Sequence, residues 1–398
     1  MSGSPEASSS KSWSYPIGHL RAWVTLLVVA HHSVLAYHSD APPMPASMDG
    51  GNRIWGAFPI VDSARFPLFG LFTWANEMYF MALMFLLSGL FVWPALKRKG
   101  AAAYARDRAL RLGVPFVFAA GLLAPLAYHA TWMQMGTPGG WPAFWAVWTK
   151  PGMWTSGPAW FLWVLLSFDL VVAAITALAP RWGDALGAQA ARLRGPGALF
   201  GALFAVASVG HLVLELWIGG LQWWTWGPFT IQGGRTLLYF AYFVSGLALG
   251  ARPLDEGVLA EDGALAKQWK RWANAAGVAF ALAIVAIIAA FSARPLRLPL
   301  HVATDLAYTL SGATFTLASL AIFLRFARRP HPVWTALVPC AYGIYLLHYP
   351  IVTNLQFLLL DARWPGLVKA IVVTAVSVAA SWAATAALRR VPGVARVL

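Results

Sequence analysis

Ten apolar runs, each roughly 17 to 25 residues long and parted by short polar or basic segments, dominate this 398-residue chain. They cover about 20 to 38, 72 to 95, 113 to 131, 158 to 179, 198 to 217, 235 to 250, 273 to 292, 304 to 325, 336 to 360 and 367 to 388. A helix of that length crosses the hydrocarbon of a bilayer, where a lipid-facing chain must satisfy its own backbone hydrogen bonds. The expected fold is therefore all-α, a polytopic transmembrane helix bundle with about ten spans. The sixth run, "RTLLYFAYFVSGLALG", is the shortest, and its two glycines form a small-residue pattern that allows close helix contact.

Composition agrees with a membrane solvent. Only 11% of the residues are charged and 59% are hydrophobic, with a mean hydropathy of +0.62, whereas a soluble domain carries about 25% charge. The formal charge of +14 would point to nucleic acid in a soluble protein. Here the basic residues fall in short loops between apolar runs. With the amino terminus in the cytoplasm, 21 of the 29 Lys and Arg residues lie on that side, which places both termini inside and agrees with an even number of spans. Residues 1–19, polar and Ser-rich, read as a disordered cytoplasmic tail. Residues 20–388 form one transmembrane domain, and residues 389–398 a short basic cytoplasmic tail. Residues 39–65, rich in Pro and Gly, read as an external loop, and the Trp-rich segment 132–157 as a re-entrant or interfacial segment lying on the bundle. The lone cysteine, Cys340, permits no intramolecular disulfide.

Ionisable residues inside apolar runs are costly and mark function. Arg21 and His32 are eleven residues apart, about three helical turns, so they share one face of the first run at a separation of about 16 Å. His32 then sits near the middle of the membrane, where a neutral imidazole can act as a general base, while His31 points about 80° away. In "RDRALRL", Arg108 and Arg111 are three apart and expected on one helix face, suited to clamping phosphate oxygens. His348 lies halfway along "PCAYGIYLLHYPIV", beside Pro350, which frees a backbone carbonyl. Glu77, Asp169 and Glu215 are the carboxylates placed to orient an imidazole, and the residues leave the choice among them open. Ser33, Ser88 and Tyr345 are the hydroxyl candidates for stabilising an oxyanion.

Together these stretches resemble the membrane-bound acyltransferase-3 family, which includes polysaccharide O-acetyltransferases and glucan succinyltransferases. The resemblance rests on Arg21 with His32 in the first run, "FLLSGLFVWPALKRKG" followed by Arg108 and Arg111, "GPAWFLWVLL" at 157 to 166, and "YGIYLLHYPIV" at 342 to 352. It implies an enzyme of the bacterial inner membrane. Such an enzyme transfers an acetyl or succinyl group from cytoplasmic acyl-CoA, its donor substrate, to a hydroxyl of a sugar, glycan or similar acceptor. His32 would be the catalytic base, Arg21, Arg108 and Arg111 would hold the phosphates of the donor, and His348 would line the same cavity. No metal and no nucleic acid are expected. The competing expectation is a proton-coupled transporter or exporter, since histidines and carboxylates within spans also build proton relays.

Overall fold

The computed structural model describes residues 15–50, 53–219, 222–293 and 298–398. All ten apolar runs are helical over most of their length. In chain order the long helices are α1 (Tyr15–Leu35), α2 (Leu68–Gly89), α3 (Ala101–Gln134), α4 (Trp160–Leu178), α5 (Pro196–Ile218), α6 (Thr236–Gly250), α7 (Trp269–Ser292), α8 (Leu298–Phe326), α9 (Ala341–Leu358) and α10 (Gly366–Leu388). Eight helices among the described residues are long and apolar enough to cross a membrane. The exceptions are α6, only 15 residues long, and α1, which carries His19, Arg21, His31 and His32 within 21 residues. The protein is an all-α, multi-pass membrane bundle.

The most polar helix sits at the centre. α1 packs against α2, α8, α9 and α10, and buries Ile17, Leu20, Val24, Val28 and Val29 among them. At the periphery, α7 exposes Val278, Leu282, Val285 and Ile288, a stripe at helical spacing that suits hydrocarbon and would be a liability in water. Between α2 and α6 the backbones themselves meet. A Cβ placed on Gly246 would strike the Leu86 carbonyl, one on Gly250 the Leu90 carbonyl, and one on Gly89 the Phe243 carbonyl. Gly246 and Gly250, four residues apart, are the small-residue pair of the shortest run, and close helix approach is what that spacing permits.

α3 is not a uniform α-helix. It contains two π turns, Ala109–Gly113 and Ala119–Leu123, followed by Pro115 and Pro125 respectively. Proline supplies no N–H and crowds the carbonyl of the preceding turn, so each widened turn accommodates a ring that a regular helix would reject. Two side chains donate to carbonyls in these loosened turns: Tyr342 to Arg111 O at 2.7 Å and Trp154 to Ala120 O at 3.0 Å.

The connecting segments carry structure of their own. Residues 15–19, assigned to the tail, form the first turn of α1, while residues 1–14 lie outside the described residues. The Trp-rich segment folds into a helix, Gly140–Trp148, whose Phe144 and Trp148 are fully buried against Trp55 of the preceding loop and Tyr128 of α3. A small antiparallel hairpin, Trp223–Trp226 with Phe229–Gln232, turns at Gly227, whose φ of 54° a side chain would resist. No strand was expected there. In the loop after α1, Asp62 accepts from Lys369 of α10 at 2.6 Å, and both side chains are 1% exposed, so the loop is clamped to the bundle by a buried charge pair.

Candidate active site

α1 and α9 run side by side in the same direction, and the seam between them holds His32 and His348. At one end His19 stacks on Trp334, 5.6 Å between centroids; at the other, Gln356 Nε2 donates to the carbonyls of His32 (2.9 Å) and Ser33 (3.1 Å). Those carbonyls belong to the last turn of α1, which has no intrahelical donors left, so Gln356 serves as a cap from the neighbouring helix. The placement of His32 is thereby corrected. α1 begins at Tyr15 and ends at Leu35, so His32 lies in its final turn and not midway along it.

The hydrogen-bond partners assign both imidazole tautomers. His348 Nδ1 is 2.7 Å from the Tyr345 carbonyl, which only accepts, so Nδ1 bears the proton and Nε2 presents a lone pair. His32 Nδ1 is 2.8 Å from the Val28 carbonyl and 3.2 Å from His348 Nε2. Both are acceptors, so the proton of His32 is on Nδ1, shared between them, and Nε2 of His32 is left as a free base. The edge of the Tyr349 ring closes one side at 5.1 Å, and Tyr349 O–H donates to Tyr128. His31, Ser33 and His348 are buried, whereas His32 keeps accessible surface, as does Arg21.

Among the described residues no carboxylate contacts the His32 ring; His348 occupies that position. Glu77 instead lies 3.5 Å from His31 Nε2 and accepts from Arg235 at 2.7 Å. Its backbone carbonyl takes the Tyr308 hydroxyl. Asp169 accepts from Tyr104 (2.5 Å) and from Arg108 Nε (2.6 Å). Glu215 faces His301 at 3.5 Å. The adjacent histidines thus belong to different networks, His31 to an ion-paired one and His32 to a neutral pair.

Arg21 and Arg108 converge from α1 and α3 closely enough for the charge of Arg108 to act on Arg21. The Arg21 guanidinium lies 5.7 Å from the Phe91 ring and has no ion pair among the described residues. Arg108 uses Nε on Asp169, so that carboxylate does not take up its two terminal nitrogens. Arg111 does not join them. It is half-exposed, lies in the π turn that begins at Ala109, and is paired with Asp107 at 3.3 Å. The hydroxyls of Ser33, Ser88 and Tyr345 all donate to backbone carbonyls, of Val29, Met84 and Pro158, and their protons are committed. Sequence reasoning missed Gln356, Tyr349 and Arg235, whose roles depend on contacts between helices far apart in the chain.

A membrane bundle with an oriented imidazole base and, in Arg21, a guanidinium without an ion pair among the described residues has the parts of a group-transfer enzyme acting within the bilayer. The chain belongs to the acyltransferase-3 family: the family model described as "Acyltransferase domain" matches residues 15–386, nearly the whole chain. It is a membrane acyltransferase, and the transporter alternative falls away. No curated protein and no solved structure matches it.

Proposed function

We propose that the protein is an O-acyltransferase of a bacterial inner membrane that moves an acetyl or succinyl-type group from cytoplasmic acyl-CoA to a hydroxyl of a sugar, glycan or similar acceptor. The observation that carries this reading is the free Nε2 of His32, held in place by the His348 contact to Nδ1. An acceptor hydroxyl at that nitrogen gives up its proton as its oxygen attacks the thioester carbonyl carbon. The C–O bond forms, the C–S bond breaks, and the proton passes from His32 Nε2 to the departing CoA sulfur. His32 is positively charged between these two transfers. Two features favour that charge: His348 accepts from Nδ1–H, and the carbonyl end of the α1 dipole lies beside the ring.

Arg21 and Arg108 supply the other requirement. Their guanidinium groups suit the phosphates at the nucleotide end of the donor. The rise of about 16 Å from Arg21 to His32 is on the order of an extended pantetheine arm, so a donor held at one end of the seam presents its thioester at the other. His32→Ala should cut acyl incorporation by about 100-fold or more, read as the mass of glycans and lipids from cells carrying each variant, while the protein keeps its wild-type elution in detergent. Wild-type acylation by His32→Ala would remove the basis of this reading.

A further inference from the structure

The C-terminal end of α5 and the N-terminal end of α8 bring together four ionisable side chains that acyl transfer does not use. Each helix contributes a histidine and a carboxylate four residues apart, His211 with Glu215 and His301 with Asp305, a spacing that puts both on one face. His301 Nε2 is 3.5 Å from Glu215 Oε1 and 3.6 Å from Asp305 Oδ2, and His211 Nε2 is 3.7 Å from Asp305 Oδ1. One donor atom each from Glu215, His301 and Asp305 fall within 4.8 Å of one another.

These separations are too long for hydrogen bonds. The two made by His301 match the spacing of neighbouring ligands that each lie about 2.1 Å from one tetrahedral ion. The polar atoms are also left without other partners. Asp305 is 5% exposed and His211 3%, yet Asp305 Oδ2, Glu215 Oε2 and His211 Nδ1 are buried with no hydrogen bond. No Lys or Arg pairs with either carboxylate among the described residues, and Arg235 is engaged by Glu77. Two carboxylates in apolar surroundings without a compensating cation are costly, and a dication would cancel both charges.

We propose that Glu215, His301 and Asp305 bind a divalent transition-metal ion of the Zn²⁺ class, with water in the fourth position and His211 orienting Asp305 from outside. A set of one imidazole and two carboxylates suits Zn²⁺, whereas Ca²⁺ requires six to eight oxygens. The ion would fasten α5 to α8. It lies outside the acyl-transfer chemistry, for which no metal is expected, and the proposal stands independently of the donor and acceptor assigned above.

The test uses the full chain in detergent, with any His tag removed, stripped with EDTA and re-equilibrated with Zn²⁺ alone. Metal content by mass spectrometry should give one Zn²⁺ per wild-type chain. Glu215→Gln and Asp305→Asn should each weaken Zn²⁺ binding by more than about 100-fold, and His211→Ala by about 10- to 100-fold, as expected for a ligand and an outer partner. Zn²⁺ should raise the Tm of the wild type and leave that of Asp305→Asn unchanged. A wild type that takes up no Zn²⁺, or a folded Glu215→Gln that binds it with wild-type affinity, would overturn the assignment and leave a proton-sharing carboxylate cluster.

Discussion

Replacing His348 separates its two potential roles, because His32 Nδ1 has a second acceptor in the Val28 carbonyl at 2.8 Å. His348→Ala removes the 3.2 Å contact but leaves the tautomer of His32 supported. The loss is then that of one hydrogen bond to a group charged in the transition state, about 1.5 to 3 kcal/mol. At about 1.4 kcal/mol per decade this corresponds to roughly a 10- to 150-fold fall in kcat. His32→Ala, which removes the base, should cost more, about 100- to 10,000-fold. His348→Gln should recover much of the deficit, since its amide oxygen can accept from His32 Nδ1–H while its N–H₂ donates to the Tyr345 carbonyl. The assay is the initial rate at which isotope-labelled acyl groups pass from acyl-CoA to the acceptor in membranes containing equal amounts of folded enzyme. The His32→Ala/His348→Ala pair should be no slower than His32→Ala alone, because residues acting as a unit are not additive. If His348→Gln is as inactive as His32→Ala, or if the double variant loses a further full increment, His348 acts independently and the orienting role is refuted.

Arg108→Ala should raise the KM for acyl-CoA while the KM for the acceptor stays near wild type; an equal rise in both would show that the broken pair with Asp169 has damaged the bundle instead. Gly250→Leu forces a side chain into the Leu90 backbone and should destabilise the protein by about 1 to 3 kcal/mol or more, whereas Gly277→Leu, in open space on α7, should be tolerated. Thermal survival of the folded peak in size-exclusion chromatography reads both. The Trp93 indole N–H, followed by the Lys97 ammonium, holds the Asp184 carboxyl below its ordinary value. Its stabilising contribution is therefore complete above the unfolded pKa of about 3.9 and is lost as pH falls through the lower folded value. The Tm gap between wild type and Asp184→Asn should narrow on acidification from pH 6 to pH 3, and a gap that widens would contradict the sign.

The helical elements were legible because apolar length is a local property, and so was the polar face of α1, since Arg21 and His32 are related by helix geometry alone. His348 was conspicuous for the same reason, as an imidazole within an apolar run. What joins these residues was not legible. The partnership of His32 with His348 spans 316 residues, and the pairing of His31 with Glu77 arises from the packing of α1 on α2. The spacing argument for Arg108 and Arg111 assumed an unbroken α-helix, whereas a π turn begins between them and Arg111 pairs with Asp107; Pro115 was visible in the sequence as a reason to doubt an unbroken helix. The midway position of His32 failed for a simpler reason: apolar content marks a span but not the residue at which its helix starts or stops, and α1 begins five residues before the hydropathy rises. The hairpin at Trp223–Gln232 escaped notice because its turn and aromatic strands are also what an interfacial loop contains.

Where α2 meets α6, main chain rests on main chain at Gly89, Gly246 and Gly250, with no rotamers in between to yield. These two helices can travel only as one rigid strut. Any breathing that admits a donor or releases a product must therefore occur at seams filled by pliable side chains, and the border of α1 with α9, where Tyr349 leans on His32, is such a seam.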